Sequence, residues 1–182
     1  MRAALDLHNY LHDNNSVEII LVDRRDYHTY HAGLYEAATT RHDQVEARTV
    51  KRTVAIPLAD IFVKTKVKVF KGFIERIDFQ NQEVVTDSRV LAYDYLVTSL
   101  GSMPDFYDIP SLDKYGFTLK SLEDAIMIRN RIEDIVMKKD TATIVIGGGG
   151  FAGAEFAGEF AQEGGRHALE EGDQLEEVRL GG

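Results

Sequence analysis

The stretch Ala142–Phe160, ATIVIGGGGFAGAEFAGEF, limits what this chain can fold into more than any other part of it. A β-branched run, Thr143 to Ile146, stands directly before four glycines, Gly147 to Gly150, and small residues at helical spacing follow. The pattern predicts a buried strand, a tight turn and a helix. Gly148, Gly150 and Gly153 stand as G-x-G-x-x-G, with small Ala157 beyond them. In such a turn one glycine permits the sharp reversal and the next lets a pyrophosphate approach the backbone. The third lets the helix pack close to the strand. The helix start adds free N–H groups and the positive end of the helix dipole. The motif alone is a weak signal, and an ordinary glycine-rich turn would carry it too. The strand and helix patterns on either side favour the dinucleotide reading. Its usual companion, an acid closing a second strand about 20 residues on, is not found. The chain continues EGGRHALEEGDQLEEVRLGG, without a β-branched run.

The front of the chain carries the complementary piece. Met1 to His12 has Ala3, Ala4, Leu7 and Leu11 at helical spacing, so an amphipathic helix is expected. Asn14-Asn15 breaks it, and Ser16 to Val22, SVEIILV, reads as a buried strand ending at Asp23. Helix, strand and terminal acid form the second half of a Rossmann βαβ unit, whose acid accepts hydrogen bonds from an adenosine ribose. Alone, Asp23 would pass for a strand-end cap; its context favours the ribose role. The first strand and glycine turn of that unit would precede Met1. Without that strand, Val17 to Val22 must find another neighbour or leave an open edge. Low stability or homo-oligomerisation of the isolated chain is therefore expected.

Between these ends the sequence alternates. His28 and His31, with Asp26 or Glu36, invite a metal reading, but no H-x-x-x-H or HExxH spacing supports one. Ala32 to Thr39 reads as a short helix, Arg41 to Arg52 as a loop and Thr53 to Ile56 as a strand. Pro57 suits the first turn of a helix through Phe62. Lys66 to Phe70 alternates as a strand. Phe73 to Phe79, Glu83 to Thr86 and Arg89 to Leu91 predict an antiparallel ribbon, with turns at Gln80 to Gln82 and Asp87-Ser88. Lys64, Lys66, Lys68 and Lys71 are better read as a solvated strand face than as a nucleic-acid stripe, because the net charge of the 182 residues is −9. Tyr95 to Thr98 reads as another buried strand, entering a backbone-exposing turn at Ser99 to Ser102. A loop from Met103 to Gly116 follows. Ser121 then caps a helix, with Asp124 at the reciprocal position of a capping box. Its apolar face is Leu122, Ala125, Ile128, Ile132, Ile135 and Val136. The chain has no cysteine, so any redox chemistry must come from a bound cofactor. No apolar run approaches the length of a membrane span, and a cytoplasmic chain is expected.

Two partial nucleotide units joined by a β-ribbon is the plan of flavoproteins with two dinucleotide-binding domains. The runs DRRDYHTYHAGLYEAATT, IPLADIF, YDYLVTSLGS, YGFTLKSLEDAIMIRNRI and TIVIGGGGFAGAEFAGEF resemble type II NADH dehydrogenases, FAD-containing NADH:quinone oxidoreductases. The resemblance covers about residues 1 to 163 and implies an α/β, partial Rossmann-like FAD/NAD(P)-binding fold. By resemblance Asp23 matches the acid on the FAD ribose, and Phe73-Ile74 the ribbon segment whose backbone faces the adenine. Leu100-Gly101 matches the turn beside the FAD pyrophosphate. Gly148, Gly150 and Gly153 match the NADH pyrophosphate turn, and Glu155 the glutamate at the nicotinamide–flavin junction. Read from the residues alone, Glu155 in the first turn of a helix is also favourable to the helix dipole. His31 to Tyr35 matches a segment near the flavin in which many members have Q-P-L-L-Y, from which His31, Ala32 and Gly33 depart.

The resemblance implies hydride transfer from NADH to FAD and electron transfer on to a quinone, with the full-length parent at the inner face of the cytoplasmic membrane. It divides the chain into an incomplete FAD-binding domain over 1–115, the start of an NADH-binding domain over 116–163 and a polar, mobile tail over 164–182. A truncated, weakly active or inactive fragment is expected. The alternative is a non-enzymatic nucleotide-binding or partner module completed by another chain.

Overall fold

A computed structural model describes residues 1–40, 52–138 and 143–171, and the side chains of these up to residue 162. The chain forms two compact units. The first joins Met1–His28 with Ile56–Met103, and the second joins Thr29–Ala55 with the residues from Pro104 onward.

The first unit is built on a parallel pair. Helix α1 (Arg2–Leu11) leads to strand β1 (Ile19–Asp23), and β1 pairs with β4 (Val67–Lys71) from Ile19 opposite Val67 to Asp23 opposite Lys71. The expected helix and strand at the front are both present, but the strand is shorter than Ser16 to Val22 predicts and only Ile19 of it is buried, with Ile20 exposed. The core is Ala4, Ile19, Leu58, Phe62 and Val67. Leu58 and Phe62 come from α3 (Leu58–Phe62), with Pro57 just before its first residue. Among the described residues β1 has one strand neighbour, so its other edge is open.

Lys66 fastens α1 to this pair. Its ammonium donates to the carbonyls of Leu11 (2.8 Å) and Asn14 (2.7 Å), and its backbone N–H donates to His8 Nδ1 (3.3 Å). The other lysines of the stripe meet acids at the surface: Lys68 pairs with Glu18 at 2.7 Å and Lys71 with Asp26 at 3.0 Å. Exposed pairs of this kind contribute little to stability, whereas Lys66 caps the last carbonyl of α1, at Leu11, and bonds Asn14 in the turn that follows it.

The expected ribbon follows as β5 (Ile74–Asp78), β6 (Glu83–Thr86) and β7 (Val90–Ala92), antiparallel and in that spatial order. Val84 and Thr86 are its buried residues. Asp78 sets the first turn: Oδ1 accepts the N–H groups of Gln80 (3.1 Å) and Asn81 (3.0 Å), while Oδ2 accepts from Asn81 Nδ2 and Arg76 Nη1. The Asn81 backbone bond first, then the Asn81 and Arg76 side chains, hold the Asp78 carboxyl below its ordinary value.

Strand β2 (Tyr27–Thr29) pairs with β3 (Ala55–Pro57). In the second unit a 3-10 turn over His31–Gly33 runs into α2 (Leu34–Thr39), which packs against α5 (Leu122–Met137) and α6 (Phe151–Glu171). A short helix α4 (Leu112–Tyr115) precedes α5. The buried face of α5 is Leu122, Ala125 and Arg129. Val136, expected on that face, is 38% exposed. α5 packs against α2, whose Ala37 and Ala38 are also buried, and an arginine can be buried at a helix contact along its aliphatic stem. The predicted capping box is present: Ser121 Oγ accepts from Asp124 N–H (3.1 Å), and Asp124 Oδ2 accepts from Ser121 N–H (3.0 Å).

Two expected buried strands do not form. Tyr95 to Thr98 and Thr143 to Ile146 have no strand geometry, and Tyr95 is 95% and Val145 86% exposed. A β-branched run becomes a strand only where a neighbour accepts and donates its ladder bonds, and neither run has one among the described residues. The loop expected from Arg41 lies largely outside the described residues, as does the tail beyond Glu171; α6 itself runs through Glu171.

Two outcomes are expected. Ser121→Ala should lower stability by about 1 kcal/mol, read as a shift of the urea midpoint at unchanged slope. The Asp78 carboxyl has a folded value below its unfolded one, so its contribution is fully present above about pH 4 and is lost as pH falls through the folded value. Amide exchange at Asn81 should accelerate over that acid range in the wild type, and Asp78→Asn should remove the dependence.

Candidate functional site

The two ends of the sequence pattern fall in different units, so each group of candidate residues has its own setting. In the first unit Asp23 closes β1 at the carboxyl end of the parallel pair, the end at which open α/β sheets bind ligands. It is exposed, and its Oδ1 accepts the Arg25 N–H at 2.9 Å. This bond fixes the carboxylate at the strand end. The Asp23 carbonyl accepts the Gly72 N–H at 2.9 Å. That bond brings Phe73 and Ile74, the next residues of the chain, to the same end of the sheet as Asp23.

Phe73 and Ile74 present their backbones in opposite directions. Asp87 engages both groups of Phe73: its Oδ1 accepts the Phe73 N–H at 3.1 Å, and its own N–H donates to the Phe73 carbonyl at 3.0 Å. Ile74 lies opposite Thr86. Since the ladder bonds fall on Phe73 and Asp87, Ile74 and Thr86 are a non-hydrogen-bonded pair. The Ile74 N–H and C=O therefore point away from β6. Among the described residues β5 is the edge strand of its sheet, so a donor and an acceptor lie side by side on an edge with no described strand against it. Sequence reasoning grouped the two residues and missed this division, and it read Asp87 only as a turn residue.

Leu100 and Gly101 lie in an exposed segment without regular secondary structure, with Leu100 68% exposed and Gly101 at φ +83°. A Cβ built on Gly101 meets no atom within 4 Å. The turn thus offers bare backbone, which is what a phosphate requires.

In the second unit the glycines of the turn divide into different tasks. Gly148 has φ +101°, a conformation that side-chain-bearing residues rarely adopt. A Cβ on Gly153 would run into the carbonyl oxygen of Gly148, so the helix can approach the turn only with glycine there. Gly150 meets nothing within 4 Å and is exposed, and its carbonyl accepts the Ala154 N–H at 3.1 Å, within the first turn of α6. Its backbone is open to approach, as are those of Gly147, Gly148 and Gly149. Glu155 is half-buried and falls just past the first turn of α6, which contains no acid. Its expected contribution to the helix dipole is therefore diminished, because that effect fades beyond the first turn.

His31 is exposed in the 3-10 turn, and Gly33 is pressed between Val54 Cγ2 (3.2 Å) and the Tyr30 ring (3.3 Å) from the position of its missing Cβ. Among the described residues no group of three or more histidines and acids could hold a metal ion.

Residues 1–178 match the family described as pyridine nucleotide-disulphide oxidoreductase. The chain is 30% identical over 154 residues to the type II NADH:quinone oxidoreductase of Staphylococcus saprophyticus, covering 80% of this chain and 36% of that protein. It is also 30% identical over 146 residues to the demethylphylloquinone reductase NdbB of Synechocystis, covering 77% of this chain and 34% of that protein. The chain thus spans only about a third of the length of these relatives. The solved structure of NDH2 from Plasmodium falciparum in complex with RYL-552 superposes with a TM-score of 0.68 at 19% identity, over 84% of this chain and 33% of that one. That likeness establishes the fold: the chain carries part of the Rossmann-like α/β architecture of this family.

The division among the glycines has a measurable consequence. Gly148→Ala and Gly153→Ala should each destabilise the second unit by about 1–3 kcal/mol, one by backbone strain and one by collision. Gly150→Ala should leave the thermal midpoint unchanged.

Proposed function

The chain belongs to the pyridine nucleotide-disulphide oxidoreductase family, and from that premise we propose that it is part of a flavin-dependent NADH:quinone oxidoreductase. The observation that carries this reading is the turn before α6: strain at Gly148, contact at Gly153 and open backbone at Gly150 are three separate requirements of a pyrophosphate-binding turn. The similarity to curated NADH:quinone oxidoreductases supports the electron donor and acceptor.

In this reading residues 1–115 supply the FAD side and residues 116–163 begin the NADH side. Bound flavin supplies the chemistry, accepting a hydride from a reduced nicotinamide and releasing electrons to a quinone. The residues of this chain bind and orient. Asp23 accepts hydrogen bonds from the FAD ribose, and the Phe73-Ile74 segment meets the adenine through the backbone of Ile74. Leu100 and Gly101 bring bare backbone to the FAD pyrophosphate. Gly148, Gly150 and Gly153 hold the NADH pyrophosphate, where the N–H groups and dipole of α6 favour negative charge. Glu155 stands at the nicotinamide side. The chain has no cysteine, so it contributes no thiol to the disulfide chemistry in the family's name. No helix among the described residues is long and apolar enough to cross a membrane. The quinone would be met by peripheral association of the full-length protein with the inner face of the cytoplasmic membrane.

The test is binding. NADH fluorescence should report saturable binding to the purified chain, and Gly150→Ala should weaken it at least tenfold without moving the melting temperature. Absence of NADH binding, or binding indifferent to Gly150→Ala, overturns the reading. The purified chain should also carry less than stoichiometric flavin by visible absorbance.

A further inference from the structure

The ribbon contains a second level of organisation around Asp87. Its carboxylate accepts the Phe73 N–H and its backbone N–H donates to the Phe73 carbonyl, so one residue holds both polar groups of the first residue entering β5. The same segment is held on its other side, where Gly72 donates to the Asp23 carbonyl. Phe73 therefore cannot rotate about its backbone without breaking bonds to Asp87. The direction of Ile74 follows from that restraint: its N–H and C=O face the edge of β5 that has no strand neighbour among the described residues.

We propose that Asp87 is the positioning residue for base selection at this edge, holding the Ile74 N–H and C=O where they accept adenine and refuse a 6-oxopurine. The proposal rests on the reading of Asp23 as a ribose acceptor. The chemistry is that of paired donors and acceptors. Adenine offers an exocyclic amino donor beside the N1 acceptor, which complements the Ile74 carbonyl and N–H. Hypoxanthine offers O6 and N1–H, which set acceptor against acceptor and donor against donor. Such mismatches are costly because they leave polar groups unpaired on binding. Asp87 touches neither base nor sugar in this arrangement and acts through Phe73. A second feature points to the same place. Phe73 is 54% exposed, and its neighbour Gly72 is bonded to the strand end that carries Asp23, so an exposed aromatic residue on which a base can lie follows that strand end directly in the chain.

The restraint comes from the Asp87 side chain as well as its backbone, so it can be removed in part. Asparagine keeps the Oδ1 acceptor and alanine does not. The experiment uses the full chain, titrated with AMP and with IMP, following the Ile74 amide by NMR and measuring both dissociation constants. The wild type should bind AMP at least fivefold more tightly than IMP, with a shift of the Ile74 amide on AMP binding. Asp87→Ala should reduce that preference to near parity, mainly by weakening AMP, and Asp87→Asn should restore it. A loss of affinity equal for both nucleotides would mark Asp87 as merely structural and overturn the proposal, as would a preference unchanged in Asp87→Ala. If instead the wild type binds neither nucleotide, the ribose reading of Asp23 fails and the proposal falls with it. Asp23→Ala separates the levels: it should weaken AMP and IMP alike and leave their ratio unchanged.

Discussion

The parallel register between β1 and β4, from Ile19 opposite Val67 to Asp23 opposite Lys71, is the contact on which the first unit depends. These strands are far apart in sequence, so their pairing closes a long loop, at an entropic cost that grows only slowly with loop length. Burial offsets it. Ala4 from α1, Ile19 from β1, Val67 from β4, and Leu58 and Phe62 from α3 form one cluster, and full burial of each large side chain contributes roughly 1.5–3 kcal/mol. A parallel pair needs such a cover because its strands are apolar on the face that meets the helices. Lys66 makes the cover exact in position. Its three bonds to the end of α1 and to His8 tie helix to strand at one point. The register also puts Asp23 and the Gly72–Ile74 segment at the same strand end.

What was legible in the sequence followed local rules. The amphipathic spacing of α1, the alternation in β4 and the ribbon, and the Ser121–Asp124 capping box are each specified within a few residues. The elements so predicted are present. The two misread runs, Tyr95 to Thr98 and Thr143 to Ile146, have the composition of buried strands but not the neighbours. Composition states what a segment would do if paired; only the rest of the sheet decides whether it is paired. The exposed Val145 and Tyr95 are the cost of that difference. Arg129 was missed for a related reason. A charged residue at a core position is legible only when the facing surface is known, and α5 packs against helices, α2 among them, that are distant in sequence.

The candidate site was legible in part, and the division follows the physics of each residue. Gly148 and Gly153 could be anticipated because their requirement is steric and recurs at fixed spacing. The different directions of Phe73 and Ile74 could not. They depend on which residue of β6 sits opposite, and a shift of one residue would exchange their roles. The ladder is irregular at this point, with a register shift between Ile74 and Arg76. A bulge of this kind redirects the strand locally, and here it lies directly beside the edge that faces outward.

The glycine turn and the ribbon edge offer backbone rather than side chains, and this bears on how the molecule can tolerate change. A backbone site cannot be lost by replacing one polar side chain; it is lost by moving the chain. At Gly148 and Gly153 the chain is moved by adding a single carbon, through strain in one case and collision in the other. At Ile74 any residue supplies the same N–H and C=O, so the identity of residue 74 matters less than the two restraints that flank it. Those restraints are Asp87 on Phe73 and the Asp23 carbonyl on Gly72. Asp23 therefore acts twice, with its side chain at the strand end and with its carbonyl on the neighbouring segment. A substitution there that keeps the carboxylate but alters the path of β1 would disturb the second role while preserving the first.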